Sequence, residues 1–180
     1  RINVVIDSVS QLVKSYCGTS LVDYASTNKV EYKTIKDSLV KTIILDESPL
    51  IQVVSVQERT TQSDAYVTLI TENSDNSGKY EYIVEDESDS IVRTNSTGEI
   101  SWARGPKSIK ITYKAGYTTT PHDLRLAVYD LIKYYMKDER KERMSISGAS
   151  VENALSSSLS GNIGFPDHIK RILDMYKVYS

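Results

Sequence analysis

The chain has 180 residues, of which 39% are apolar, and a formal net charge of −2, values that allow one domain with an ordinary hydrophobic core. The single cysteine, Cys17, excludes an internal disulfide, and two histidines with one cysteine are too few for a structural zinc site, so we expect no metal or cofactor. No apolar run approaches the roughly 18 residues typical of a membrane span. The chain begins at Arg1 instead of Met, so we expect further residues upstream.

Charge is distributed unevenly along the chain. Residues 1–45 carry +2, residues 46–100 carry −9 and residues 101–180 carry +5. An acidic middle argues against a DNA-binding surface in that part of the chain. Such acidity is also typical of solvated strand faces and turns.

The first segment predicts an amphipathic helix that ends near Gly18. Its apolar residues recur at intervals of three and four, which places them on one helix face. The residues of this stripe are Ile2, Val5, Ile6, Val9, Leu12, Val13 and Tyr16. Residues 29–41 are polar and weakly periodic, which predicts a loop or an irregular pair of strands.

The hydrophobic period then changes to two. "KTIILDESPLIQVVSVQE" predicts a strand, a turn at Asp46–Pro49, and a second strand with Ile51, Val53 and Ser55 on one face. "AYVTLI", "KYEYIV", "SIVRT", "EISW" and "KSIKITY" follow, separated by stretches rich in Asn, Asp, Ser, Gly and Pro. Because the connections are short, successive strands are expected to be antiparallel neighbours. This segment predicts an antiparallel β module of about six or seven strands.

Two further helices are predicted after Gly116. Thr120, Pro121 and Asp123 make a well-specified helix start, and the last helix begins at Pro166. Their apolar stripes are Leu124, Ala127, Val128, Leu131, Ile132 and Tyr135 in one helix, and Ile169, Ile172, Leu173 and Tyr176 in the other. Between them lies a serine-rich segment that predicts a flexible linker or a segment ordered only against a partner.

These elements predict an α+β fold, a helical bundle with an inserted antiparallel β module. Residues 1–40 form the N-terminal helix and a polar connection, and residues 41–116 form the β module. Residues 117–180 form the C-terminal helices, with a serine-rich linker at 143–163, and pack with the N-terminal helix.

The sequence offers little catalytic chemistry. His122 and His168 both fall in the first turn of a predicted helix, and neither a nucleophile-elbow motif nor a glycine-rich phosphate loop occurs. "EDESD" lacks the alternating acids and central glycine of a calcium loop. Thirteen tyrosines stand beside one Phe and one Trp, which favours a binding or assembly role, since tyrosine is enriched at protein contacts.

Four stretches, in order, resemble the head–tail connector (adaptor) proteins of tailed bacteriophages. The specific one is "ITYKAGYTTTPHDLRLAV" (Ile111–Val128), similar to the family's "V-x-Y-x-A-G-Y-x-x-x-P-x-D-L-x-x-A-V" junction. The others are "SYCG" (Ser15–Gly18), "DESPLIQVVSV" (Asp46–Val56) and "FPDHIKRILDMYK" (Phe165–Lys177). The sequence departs from the family's pattern in two ways. Family members usually carry a further short helix before the first helix predicted here, and the β module here is longer than that of the shortest members.

The resemblance implies a structural virion protein and not an enzyme. Family members assemble as a ring, most often of twelve copies, which sits beneath the portal and joins it to the next neck or tail protein. The ring leaves a channel for double-stranded DNA, which it does not bind sequence-specifically. We therefore expect the chain in the virion neck, after assembly in the host cytoplasm.

The resemblance also implies roles for particular residues. The strand-to-helix junction is expected to hold the sheet and helices in a fixed geometry through Tyr113, Gly116, Tyr117, Thr120, Pro121 and Asp123. The segment from Met144 to Ser180 is expected to grip the portal. Candidate portal or subunit contacts are Lys137, Arg140, Lys141, Arg143, Phe165, Pro166, Tyr176 and Tyr179. Candidate channel-facing acids, which would repel DNA phosphates, are Glu85, Asp86, Glu87 and Asp89.

Three alternatives stay open at this point. One is a neck protein at another level, either a stopper or a tail terminator. Another is a small β-rich module that binds carbohydrate or peptide. The last is a hydrolase that uses His122 or His168.

Overall fold

A computed structural model of the chain describes residues 2–71, 80–136, 143–146, 149–152 and 165–178. The chain divides into two compact units. The helical unit combines Arg1–Thr19 with Thr120–Ser180, and the β unit is Ser20–Thr119. The chain therefore passes from one unit to the other twice.

In the described part of the helical unit, three helices contact one another in pairs. They are α1 (Ile2–Cys17), α2 (His122–Met136) and α3 (Asp167–Asp174). Their inward faces bury Val9, Val13, Cys17, Leu124, Ala127, Leu131, Ile169 and Leu173. Gly18, with φ +72°, ends α1 as expected. The predicted α1 stripe is too long, because Ile2 and Ile6 are exposed.

The serine-rich segment predicted as a linker contains a hairpin. Strands β9 (Arg143–Ile146) and β10 (Ala149–Glu152) pair antiparallel, with Ala149 opposite Ile146. In this stretch Met144 and Ile146 alternate with polar residues. The serines obscured this alternation, and the predicted linker over 143–163 includes these two strands.

The described residues of the β unit form two antiparallel sheets. The larger sheet has the order β1-β8-β3-β4, formed by Lys29–Ile35, Gly105–Ala115, Leu50–Glu58 and Val67–Thr68. The smaller has the order β2-β6-β5, formed by Thr42–Ile44, Ser90–Asn95 and Tyr82–Glu85, and β7 (Gly98–Glu99) also pairs with β6. Between Thr42 and Ala115 the described residues form seven strands. The predicted α+β class with an antiparallel β module is confirmed.

Two predictions about strand order were wrong. Residues 29–41, predicted as a loop or an irregular pair of strands, contain one strand, Lys29–Ile35, which pairs with β8 with one irregularity between Lys33 and Ile35. Its polar residue Glu31 faces inward and is 6% exposed, which hides the usual alternation of apolar and polar residues. The strands on either side of Asp46–Pro49 are not neighbours, since β2 and β3 belong to different sheets.

Strand β3 carries two irregularities in its pairing with β8, one between Leu50 and Gln52 and one between Val53 and Ser55. Each irregularity shifts the face to which the following side chains point. Leu50, Val53 and Val56 therefore turn to the core, and Ile51 is exposed. The expectation that Ile51 shares a face with Val53 and Ser55 was wrong for this reason.

One hydrophobic cluster joins the two sheets of the β unit. Trp102, Val56, Ile91 and the inward residues of β8 are almost inaccessible to solvent. The buried members are Ile35, Ile43, Leu45, Val56, Leu69, Tyr82, Ile91, Trp102, Ile109, Ile111, Tyr113 and Ala115. Burial of this apolar area is the main stabilising term for the unit.

Candidate assembly surfaces

Gly116, at the end of β8, lies against the backbone of Leu21. Its φ is +100°, and an added Cβ would stand 2.1 Å from the carbonyl oxygen of Leu21. Its N–H donates to the carbonyl of Pro49 at 2.8 Å, and the N–H of Tyr117 donates to the carbonyl of Leu21 at 2.7 Å. Only glycine fits here, because both the dihedral angle and the close approach exclude a side chain.

Tyr113 has no exposed surface and donates its hydroxyl proton to the carboxylate of Glu31. The same hydroxyl oxygen accepts a hydrogen bond from the N–H of Glu47 at 3.3 Å. Burial, followed by the hydrogen bond and charge of Glu31, raises the pKa of Tyr113 well above its usual range. The tyrosine of the junction motif is therefore a core residue that fixes the chain at Glu47.

Ion pairs surround this hydrogen bond. Lys33 contacts both Glu31 and Asp46, the latter at 2.7 Å, and Lys29 Nζ lies 3.0 Å from Glu47 Oε1. Burial opposes the charge of Lys33, but its hydrogen bonds with Asp46 and Glu31 outweigh burial and raise its pKa. Burial likewise acts to raise the pKa of Asp46, but the hydrogen bond with Lys33 prevails and lowers it. The charges are paired, which indicates a structural network that holds the 45–49 segment.

Of the three residues predicted to start α2, Asp123 has its main side-chain partner outside that helix. Pro121 precedes α2 and its carbonyl accepts a hydrogen bond from the N–H of Arg125 at 2.9 Å. Thr120 directly precedes it and is half-buried. Asp123 accepts a hydrogen bond from the Tyr176 hydroxyl at 2.6 Å, and this bond is the main cause that lowers the pKa of Asp123. Asp123 therefore ties α2 to the segment that follows α3.

Two candidate portal contacts lie inside the helical bundle. Phe165 is 5% exposed, and its ring meets that of Tyr16 edge-on with 5.1 Å between the centroids. Tyr176 is half-buried and bonds to Asp123, as described above. Pro166 precedes α3, and its carbonyl accepts from the N–H of Lys170 at 3.0 Å. Phe165 and Tyr176 therefore make contacts within the bundle, and the predicted apolar stripe of the last helix had included Tyr176 but not Phe165.

The remaining candidate contacts follow α2 or end the chain. Arg143 is the first residue of β9. Three basic candidates and the last tyrosine lie outside the described residues, namely Lys137, Arg140, Lys141 and Tyr179.

The four candidate acids divide into two kinds. Glu85, Asp86 and Glu87 are exposed where β5 passes into a short 3-10 helix, Asp86–Ser88, and we call these three residues the acidic turn. Asp89 has φ 47° and accepts hydrogen bonds from the Ser48 hydroxyl and the Leu50 N–H. Asp89 thus holds the connection between the two sheets.

Both histidines lie at exposed positions on helices. His122 is exposed, and its Nδ1 lies 2.6 Å from Nη2 of Arg125, while His168 is exposed on α3. Within the described ranges, no three His, Cys, Asp or Glu side chains gather where they could hold a metal ion. No helix in those same ranges has the length and apolarity needed to cross a bilayer.

The family profile described as head completion protein matches residues 1–179, which is nearly the whole chain. The chain belongs to the head completion protein family. The expected resemblance to phage head–tail connector proteins is thereby confirmed. Membership favours a structural role in the head–tail neck over a catalytic one. A search of curated protein sequences finds no match.

Solved structures with a similar fold come from gene transfer agent (GTA) particles. A chain from the neck of a native GTA particle, computed with C12 symmetry, has a TM-score of 0.60 and 10% identity, covering 99% of this chain and 82% of that chain. A chain from the neck of an empty particle, computed with C6 symmetry, has a TM-score of 0.59 and 11% identity, covering 99% and 78%. A chain from the virion of the native particle has a TM-score of 0.56 and 11% identity, covering 99% and 77%. At these identities the matches show a shared fold.

Two surfaces of this head completion family member were missed in the sequence. On α2, Leu126, Tyr129 and Met136 are each at least half exposed and recur at helical spacing. The second surface is the outer side of the larger sheet. Because β8 buries Ile109, Ile111 and Tyr113, the alternate residues Lys110 and Lys114 face outward.

We call this outer side the basic sheet face, formed by Lys107, Lys110 and Lys114 of β8 with Val30 and Tyr32 of β1. Tyr32 lies opposite Lys110 in the register, and Nζ of Lys107 stands 5.7 Å from the centre of its ring. Val30 and Tyr32 are each 47% exposed. The alternation in "KSIKITYKA" was the available signal, since Lys110 and Lys114 each follow a buried residue with a large apolar side chain or ring.

Proposed function

We propose that this chain is a head–tail adaptor subunit, twelve copies of which form a ring beneath the portal. The ring joins the portal to the next neck or tail protein and leaves a channel through which double-stranded DNA passes without sequence-specific binding. The observation that carries the proposal is the family match over residues 1–179. It is supported by a fold shared with chains of a GTA neck, one of them computed with C12 symmetry.

The exposed surfaces of the helical unit suit such an assembly. Leu126, Tyr129 and Met136 form an apolar stripe on α2, and Met175 after α3 is 67% exposed. Tyrosine and methionine are enriched in the centres of protein interfaces, where charged residues are depleted. We propose that portal contacts lie on this stripe and on residues 137–164, which begin with the basic candidates after α2. The virion neck is then the site of action, with assembly in the host cytoplasm.

Native mass spectrometry of the protein with its cognate portal tests the proposal. We expect uptake of twelve copies per portal ring, and none when an unrelated ring protein replaces the portal. Leu126→Glu with Tyr129→Glu should abolish uptake, because two charges would be buried without partners. Ser8→Glu with Gln11→Glu is the matched control, because it adds two negative charges at exposed positions of α1 and none on the α2 stripe. A protein that stays monomeric with the portal present refutes the adaptor role.

A stopper ring at a lower level of the neck is the second candidate, and the description head completion protein favours it. The two differ in their partner, since a stopper binds an adaptor ring and not the portal. Uptake onto a portal–adaptor complex, but not onto the bare portal, would establish the stopper.

A further inference from the structure

The basic sheet face carries positive charge that the described part of the chain does not neutralise. No ion pair or hydrogen bond of the Lys110 or Lys114 ammonium occurs there. The residues of β3 opposite Lys110, Thr112 and Lys114 are uncharged, namely Gln57, Ser55 and Gln52. The outward residues of β1 are Val30, Tyr32 and Thr34, which are uncharged as well.

The positive charge of the basic sheet face contrasts with the negative charge of much of the β unit. Residues 46–100 carry −9, and soluble surfaces usually intersperse both signs. A single-sign face with an exposed tyrosine and valine beside it has the makeup of an interface. Aromatic and apolar residues supply burial there, and charges set the register of the partner.

We propose that the basic sheet face of one copy receives the acidic turn of the next copy in the ring. The inference rests on the proposed ring, because a ring is closed by a head-to-tail interface between two different, complementary patches of the same chain. The acidic turn meets this requirement: it is exposed, it carries three carboxylates, and Asp86 and Glu87 make no side-chain hydrogen bond or ion pair within the described residues. This role replaces the channel lining expected from the sequence for these acids.

Both patches belong to the same compact unit, so its core holds them at a constant separation and orientation. Asp89, at the base of the acidic turn, hydrogen-bonds Ser48 and Leu50, next to the strand that borders β8. A ring needs such constancy, because an angular error at one interface is repeated at every interface. DNA phosphates are the other ligand that lysines and a tyrosine suit, and the experiment below separates the two.

Charge reversal tests the interface with paired variants. Lys110→Glu with Lys114→Glu makes the sheet face acidic, and Asp86→Lys with Glu87→Lys makes the turn basic. Each variant alone places like charges in contact, so we expect ring assembly on the portal to weaken on the order of 100-fold. Mixed in equal amounts, the two variants are complementary in both directions. We expect the mixture to form rings in which they alternate, as native mass spectrometry would show.

Matched controls carry the same net charges with the changes placed elsewhere in the β unit. Lys36→Glu with Lys41→Glu alters two exposed lysines outside the sheet face, and Asp37→Lys with Glu99→Lys alters two exposed acids outside the turn. We expect both controls to assemble as the wild-type protein does. Fluorescence of the buried Trp102 verifies that every variant is folded.

Other outcomes overturn the inference in distinguishable ways. If both reversed variants assemble like the wild type, the interface lies elsewhere and the ring stands. If the lysine variant assembles normally but loses binding of a labelled DNA duplex, the sheet face serves nucleic acid. If the mixture fails where each variant is folded, the two patches do not meet. If the wild type forms no ring with the portal, the proposed function itself fails.

Discussion

Substitution of Gly116 by alanine tests the close approach at the end of β8. The backbone there has φ +100°, and the new Cβ would stand 2.1 Å from the Leu21 carbonyl oxygen. That separation is far below any real contact, so the backbone near Leu21 must move. The movement disturbs the hydrogen bonds from Tyr117 to Leu21, at 2.7 Å, and from Gly116 to Pro49, at 2.8 Å.

The magnitude follows from two contributions. An unfavourable backbone conformation costs about 1–3 kcal/mol. Each disturbed hydrogen bond adds about 0.5–1.5 kcal/mol. We therefore expect Gly116→Ala to lower the free energy of unfolding of the β unit by about 2–6 kcal/mol. Gly98→Ala is the matched control, because Gly98 has φ +136° but nothing within 4 Å of an added Cβ. It carries only the backbone cost.

Urea denaturation followed by tryptophan fluorescence measures the difference. The chain has one Trp, and Trp102 lies in the core of the unit that contains both glycines. We expect Gly116→Ala to shift the midpoint clearly further than Gly98→Ala, at an unchanged slope. Equal shifts for the two variants would refute the close approach to Leu21.

Three further predictions concern the two cores. Tyr113→Phe should destabilise the β unit by about 1.5–3 kcal/mol in the same urea assay, because the buried carboxylate of Glu31 loses one of its hydrogen-bond donors; an unchanged midpoint would contradict the network. Leu131→Ala should lower the thermal stability of the helical unit by about 2–5 kcal/mol, whereas Leu126→Ala, at a 56% exposed position, should have little effect. Burial, and then the charge of Asp174, raises the pKa of the Cys17 thiol from 9.0 to about 11. The thiol is therefore protonated at pH 8, and we expect alkylation at that pH to require urea; rapid labelling of the native protein would show that the helical unit opens easily.

The sequence predicted the elements in which periodicity and local signals agree. In α2 the Thr-Pro-x-Asp start and the 3.6-residue stripe both indicate a helix, and Leu124, Ala127 and Leu131 are buried as expected. Strand β8 alternates from Ile109 to Ala115 and is followed by a glycine, so it was equally clear.

The wrong predictions for β1, β3 and Asp123 have physical causes that a pattern of apolar residues in the sequence does not reveal. Strand β1 turns Glu31 inward, where Tyr113 and Lys33 satisfy it, so its buried face is partly polar. The irregular pairing of β3 depends on its partner strand, β8, and no residue of β3 alone indicates it. Asp123 matched a helix-start signal, but its main partner is Tyr176, 53 residues away in sequence.

Of the two proposed contact surfaces, the sequence indicated the acidic turn but not the basic sheet face. Sequence motifs indicated the acids at 85–87, but the neutral surroundings of Lys110 and Lys114 depend on which residues of β1 and β3 lie beside them. That register is a tertiary property of the sheet.

Cryo-electron microscopy of the virion neck, at a resolution that separates side chains, tests whether this chain forms the proposed adaptor ring. We expect a ring of twelve copies of this chain in direct contact with the portal, with the family fold recognisable in each subunit. A ring separated from the portal by another protein, or a neck without this chain, would contradict it.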